Sequence, residues 1–266
     1  MNNQYQYLNH YFSKKKIIEI MKNNKNNCFE RIIEEISTNY ENLSKNYRNE
    51  YFYKNTLFNK MVLGKYSLNT SAAFSEVRIG KSKADFIIIN HLKGMVFEIK
   101  TDLDNLERLS YQLEDYYKAF SEVYVLTSED NYYPVYKLVK ELHANVGIYI
   151  LNKHGRLSLK KSAVQDNTKL EYDALFKLLR KSEYENIIKK YFGSVPKVKP
   201  VEYYKACLKL FKTIDLLEIQ KNTFFELKRR KSAIGVEMIN KTPFQIRWLV
   251  YQMDLNVEKY KKLSDI

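Results

Sequence analysis

Apolar residues recur at three- and four-residue spacing through the first 65 positions and again beyond about residue 170. Between residues 72 and 151 the texture differs, with short runs dense in β-branched and aromatic side chains. The first pattern is that of amphipathic helices, the second that of strands. Segments 17–21 and 28–36 predict helices, separated by the Asn-rich stretch 23–27. A third helix is expected over about 47–63, with Tyr51, Leu57 and Met61 on one stripe.

Strands are expected at 72–79, 84–89, 95–101, 122–127 and 146–151, with 157–161 as an edge strand. Turn signals lie at Gly80-Lys81-Ser82 and from Asn90 to Gly94. Asp104, with Glu107 three residues on, reads as a capping box opening a helix that carries Leu106, Leu109, Leu113 and Tyr117. Three strands in hairpin succession, followed by a crossover helix, imply an α/β protein with a mixed central sheet covered by helices. Further helices are expected at 171–180, 183–192 ending at Gly193, 201–213, 215–230 starting at Asp215, and 243–262 carrying Trp248 as packing. The segment 196–200, PKVKP, reads as a linker. The expected division is an N-terminal helical region 1–46, an α/β core 47–160 and a helical C-terminal region 161–266.

Composition narrows the class. The 266 residues are 45% hydrophobic and 29% charged, enough apolar mass for a sizeable core. No run is long enough to cross a bilayer and the first residues lack signal-peptide order, so a cytoplasmic protein with no membrane partner is expected. Cys28 and Cys207 read as reduced core residues. His10, His91, His143 and His154 show no ligand spacing, and His143 is expected to be structural.

Net charge is +14 and is unevenly spread. Residues 151–266 hold 25 basic and 13 acidic residues, a net +12, against +2 for residues 1–150. Such an excess attracts polyanions and gains affinity by counterion release from phosphates. Part of it lies at Lys228, Arg229, Arg230 and Lys231, and part at Lys259, Lys261 and Lys262.

One polar group stands out within the expected sheet. Glu98 and Lys100 are two apart on a strand, so they share a face opposite to Phe97 and Ile99. A hairpin brings Asp85 beside them, and one more strand and turn let Glu76 approach. Burying such groups is expensive unless they are paired or bind a cation. Carboxylates converging with a lysine could hold Mg²⁺ and act on a phosphodiester.

Asp85 followed after a hairpin by Glu98-Ile99-Lys100 resembles the D…(D/E)-x-K signature of the PD-(D/E)XK nuclease superfamily, over roughly residues 47–151. Ala84 stands where that signature carries Pro. The resemblance implies a restriction-endonuclease-like core in the order αβββαβ, with N-terminal helices before it and a helical region after. It implies a Mg²⁺- or Mn²⁺-dependent nuclease acting on nucleic acid, with DNA favoured, in defence, as a toxin or in repair. Asp85, Glu98 and Glu76 become metal ligands with the Ile99 carbonyl, and Lys100 the water-positioning residue. Gln112, with Tyr116 four residues on, would face the site. Arg78, Lys81 and Lys83 read either as phosphate contacts near the site or as solvated turn residues, and Arg108 either as a contact to DNA or a site carboxylate or as a plain helix salt bridge. Lys228, Arg229, Arg230 and Lys231 of the basic C-terminal region would grip the nucleic-acid backbone. A homodimer is left open. The alternative is the same fold without catalysis, as a DNA-binding or assembly protein. Asp102 and Asp104 are expected to serve structure.

Overall fold

The structure is a computed structural model. It describes residues 2–23, 29–142, 144–231 and 236–253. The expectations for Cys28, His143, most of the Asn-rich break, the end of the last helix and Lys259, Lys261 and Lys262 lie outside these residues.

Three helices open the chain: α1 (Asn2–Tyr11), α2 (Lys14–Asn23) and α3 (Phe29–Asn46). The third expected helix begins at α4 (Glu50–Leu57), where the Asn49 side chain accepts from the Phe52 N–H. It then widens into a π-helical segment, Phe58–Lys65. Strands β1 (Ser71–Ile79), β2 (Ser82–Asn90) and β3 (Lys93–Lys100) follow as an antiparallel meander. Helix α5 (Leu109–Tyr117) crosses to β4 (Glu122–Ser128), which runs parallel to β3. Helix α6 (Tyr132–Leu142) crosses to β5 (Gly147–Leu151), parallel to β4, and β6 (Leu157–Lys161) closes the edge antiparallel. The result is one six-stranded mixed sheet in chain order.

Period-2 alternation sorts the strand residues onto two faces. Phe86, Ile88, Phe97, Ile99, Tyr124 and Leu126 belong to one core with residues of α1 to α4. The single tryptophan, Trp248 of α12 (Arg247–Gln252), joins it, with its ring 4.7 Å from that of Phe86. Ile87, Ile89, Val96, Val123, Val125 and Ile148 belong to the other core with α5, α6 and four later helices. These are α7 (Tyr172–Leu178), α8 (Lys181–Phe192), α9 (Pro200–Phe211) and α10 (Leu216–Arg229). A short helix α11 (Val236–Lys241) precedes α12. The sheet is therefore the wall common to both cores.

Helix ends follow local chemistry. Gly193 closes α8 in the left-handed conformation at φ 76°, and Asp215 caps α10 by accepting from the Leu217 and Glu218 N–H groups. The expected capping box at Asp104 does not form. Its carboxylate turns back to accept from the Thr101 N–H at 2.8 Å and the Thr101 hydroxyl at 2.7 Å, and α5 starts five residues later.

Candidate functional site

The β2–β3 ladder ends at Phe86 opposite Phe97. Beyond it the Asp85 carboxylate takes the place of a backbone acceptor and receives the Ile99 N–H at 2.7 Å. Glu98, 1% exposed, points with Lys100 toward α5. Lys100 Nζ donates to Glu98 Oε1 at 2.8 Å and to Gln112 Oε1 at 3.0 Å. The Tyr116 hydroxyl donates to Glu98 Oε2 at 2.5 Å. Asp85, Glu98, Lys100 and Gln112 thus line one polar pocket of about 580 Å³, which also takes in Glu50 and Asn49.

Burial dominates the electrostatics. Removal from water, then the neighbouring Glu98 and Glu50 charges, push the Asp85 carboxyl up to about 8. Burial also raises Glu98, against the opposing pull of Lys100. Tyr116 is driven far above the ordinary phenol value by burial and by Glu98, so its hydroxyl stays a donor.

Glu76 behaves differently. It sits in β1 with φ 59°, a left-handed backbone that disfavours a non-glycine residue. Its carboxylate is bonded by both Lys54 and Lys83. Although partial burial would raise it, these two ammonium groups hold its carboxyl below the usual range. Lys54, from α4, also pairs with Glu50 one turn earlier on its own helix. Glu50, Glu76 and Asp85 offer one oxygen each within 4.8 Å of one another, the acidic group of this kind among the described residues.

That grouping differs from the expected one in two ways. Glu98 is not in it, being held by Lys100 and Tyr116, while Glu50 is. The Lys54 ammonium already bonds two of its three carboxylates. Of the expected Mg²⁺ or Mn²⁺ set of Asp85, Glu98, Glu76 and the Ile99 carbonyl, this grouping contains Asp85 and Glu76. The sequence reading missed Glu50 and Lys54, although their four-residue spacing on a helix was a usable signal.

The expected phosphate contacts divide. Arg78, Lys81, Lys83 and Arg108 are exposed around the β1–β2 turn and the start of α5. Lys81 lends its backbone N–H to Asp115, and Lys83 is paired with Glu76. Arg230 is turned inward, with Nε 2.6 Å from Glu183 Oε1 and Nη2 2.8 Å from the Leu178 carbonyl. Lys228, Arg229 and Lys231 instead line a groove of about 570 Å³ with His91, Leu92 and Phe225. This groove lies at the β2–β3 turn, whereas the polar pocket lies at the far end of β3. Seven residues at about 3.3 Å each separate Lys93 from Lys100, so the two places are roughly 23 Å apart.

Residues 43–247 match the family described as bacteriophage P4 protein cII. The chain belongs to that family. The match covers the sheet and most of the C-terminal helices. No curated protein and no solved structure matches the chain. Membership in the P4 cII family overturns the expected place among PD-(D/E)XK nucleases. The metal-dependent phosphodiesterase activity, the hydrolase class and the Mg²⁺ or Mn²⁺ cofactor expected from that resemblance fall with it. Glu98 and Lys100 share a strand face, as their spacing requires, and in this P4 cII family member they bond to each other. Among the described residues no helix is long and apolar enough to cross a membrane.

Proposed function

We propose that this chain is a non-catalytic nucleic-acid-binding protein with a regulatory role, DNA being the expected partner. In this reading the sheet is a restriction-endonuclease-like core used as a scaffold. The observation that carries it is the groove beside α10, where Lys228, Arg229 and Lys231, from the part of the chain that holds a net +12, gather with His91 of the β2–β3 turn. Cations along one groove neutralise phosphates and release their counterions. A family described by a bacteriophage protein is consistent with work on phage nucleic acid.

The polar pocket has a structural part in this reading. Asp85, Glu98, Lys100 and Gln112 fix the end of β3 against α5 through bonds they make with one another and with the backbone. Arg78, Lys81 and Arg108 add positive charge at that end without lining the groove.

The test is fluorescence anisotropy with labelled DNA across a salt series. Binding should weaken with salt along a log–log slope of about −2 to −3, as expected for two or three phosphates. Lys228→Ala with Lys231→Ala should abolish most of that slope, and Lys100→Ala should leave it unchanged. Affinity that ignores salt, or that is lost on Lys100→Ala while that variant melts with the wild type, would overturn the reading.

A further inference from the structure

The groove beside α10 is not uniformly basic. Phe225 is 50% exposed on α10, and Leu92 is 46% exposed at the tip of the β2–β3 turn. The two share a second concavity of about 390 Å³ with Lys190, Lys221 and Asn222. Leu92 also lines a third, of about 210 Å³, with Lys93 and Leu217. Three depressions therefore meet on one apolar side chain, with lysines on each. Of the acidic groups among them, Glu218 pairs with Lys221 at 2.7 Å and Glu226 with Arg229 at 3.3 Å, while Glu122, in the third, accepts from the Tyr124 hydroxyl at 3.5 Å.

An apolar floor with a cationic rim discriminates between forms of nucleic acid. A duplex shows phosphates on its outside while its base faces are stacked away. An unpaired strand shows phosphates and base faces together, and proteins hold it by stacking bases on aromatic groups along a positive groove. Phe225 and Leu92 have nothing to pair with among the phosphates that a duplex presents outward, and their exposure costs hydration free energy in the unbound protein. The Arg229 guanidinium lies 5.8 Å over the Phe225 ring, so a flat cation already lies against the apolar surface.

Taking the proposed nucleic-acid binding as given, we infer that this groove selects single-stranded nucleic acid. An unpaired base rests against Phe225 and Leu92, and Lys228, Arg229 and Lys231 take the adjoining phosphates. The turn makes this possible: His91 adopts φ 52°, which together with its N–H bond to the Thr70 carbonyl at 2.8 Å sets the turn that carries Leu92.

The experiment compares a labelled oligothymidine of about 16 nucleotides with a duplex of equal length, using the full chain. The single strand should bind about tenfold more tightly. Phe225→Ala should weaken strand binding about tenfold and leave duplex binding unchanged, while Phe225→Tyr should retain it. Leu92→Ser serves as the second variant, and because both residues are exposed each variant should melt with the wild type. Equal or tighter duplex binding, or strand binding indifferent to both substitutions, would overturn the inference while leaving the proposed function standing. Salt-insensitive binding, or none to either form, would instead overturn the proposed function itself.

Discussion

Lys54 and Glu76, 22 residues apart in the chain, form an ion pair across the junction of α4 and β1. The lysine side chain is 9% exposed and bonds Glu50 as well. Burial alone would lower its pKa, yet the two carboxylates hold it above the ordinary lysine value. It is a resident cation for a group of acids that would otherwise repel one another.

Replacing it tests that role. Lys54→Met keeps the stem's bulk and removes the charge. Hydrogen bonds to charged groups contribute about 1.5–3 kcal/mol, and a loss of that order is expected in urea denaturation at neutral pH. Glu76 has its folded pKa depressed, so its contribution is present above the unfolded value and lost as pH falls through the folded one. The gap between wild type and Lys54→Met should therefore narrow in acid. A gap that widens in acid would contradict the assignment.

Asp85 gives the opposite pH dependence. Burial and neighbouring charges raise its folded pKa to about 8, above the unfolded value of about 3.9. The folded state then holds a proton that the unfolded state releases, and stability falls as pH climbs from about 4 to about 8. A tenfold difference in proton affinity between the two states corresponds to about 1.4 kcal/mol. Asp85→Asn can still accept the Ile99 N–H and carries no charge. It should lose little stability at pH ~5 and should exceed the wild type at pH ~8 by roughly 2 kcal/mol or more. Parallel wild-type and variant profiles would show that Asp85 is not the titrating group.

The central strands were legible because β-branched and aromatic runs of strand length sit between clear turn residues, as at 84–89 and 95–101. The pairing of Glu98 with Lys100 on one face followed from the period of two. Family and activity did not follow. An acid, a hydrophobe and a lysine on a strand fit a metal site, and they fit equally well a carboxylate and an ammonium that satisfy each other. Lys54 was hidden because its second partner comes from another element, and sequence spacing reveals only the first. Asp104 deceived for a local reason: the same carboxylate can cap a following helix or bond back to Thr101, and it does the latter. Phe225 and Leu92 were invisible as a pair, since nothing in their own segments says that a turn and a helix meet there.

The β1–β2 turn depends on empty space. Gly80 has φ 60°, and a Cβ there would sit 2.4 Å from Asp115 Oδ1. The other Asp115 oxygen accepts from the Lys81 N–H at 2.9 Å and the Ser82 hydroxyl at 2.7 Å. Gly80→Ala would thus add backbone strain and push away the carboxylate that fixes the turn. A destabilisation of about 1–3 kcal/mol is expected, read as a lower melting temperature. An unchanged melting temperature would mean that the turn is not held by Asp115.

Two basic residues two positions apart, Lys228 on α10 and Arg230 just past its end, should respond oppositely to truncation. A helix turns by about 100° per residue, so Lys228 and Arg230 cannot share a direction. Lys228 lines the groove, whereas Arg230 pairs with Glu183, which is itself buried and also accepts the Arg180 N–H at 2.6 Å. Arg230→Ala would strand that carboxylate, with an expected cost of about 3 kcal/mol in stability. Glu183 has its folded pKa lowered although burial would raise it, because Arg230 and the Arg180 N–H bond its charged form. The cost should accordingly fade as pH drops through the acid range. Lys228→Ala should leave the melting curve in place and reduce the salt slope of nucleic-acid binding by about 1. Arg230→Ala, measured at a temperature where it remains folded, should keep that slope. If the two variants exchanged these phenotypes, the charge that meets the polyanion would have to lie on the Arg230 side of α10.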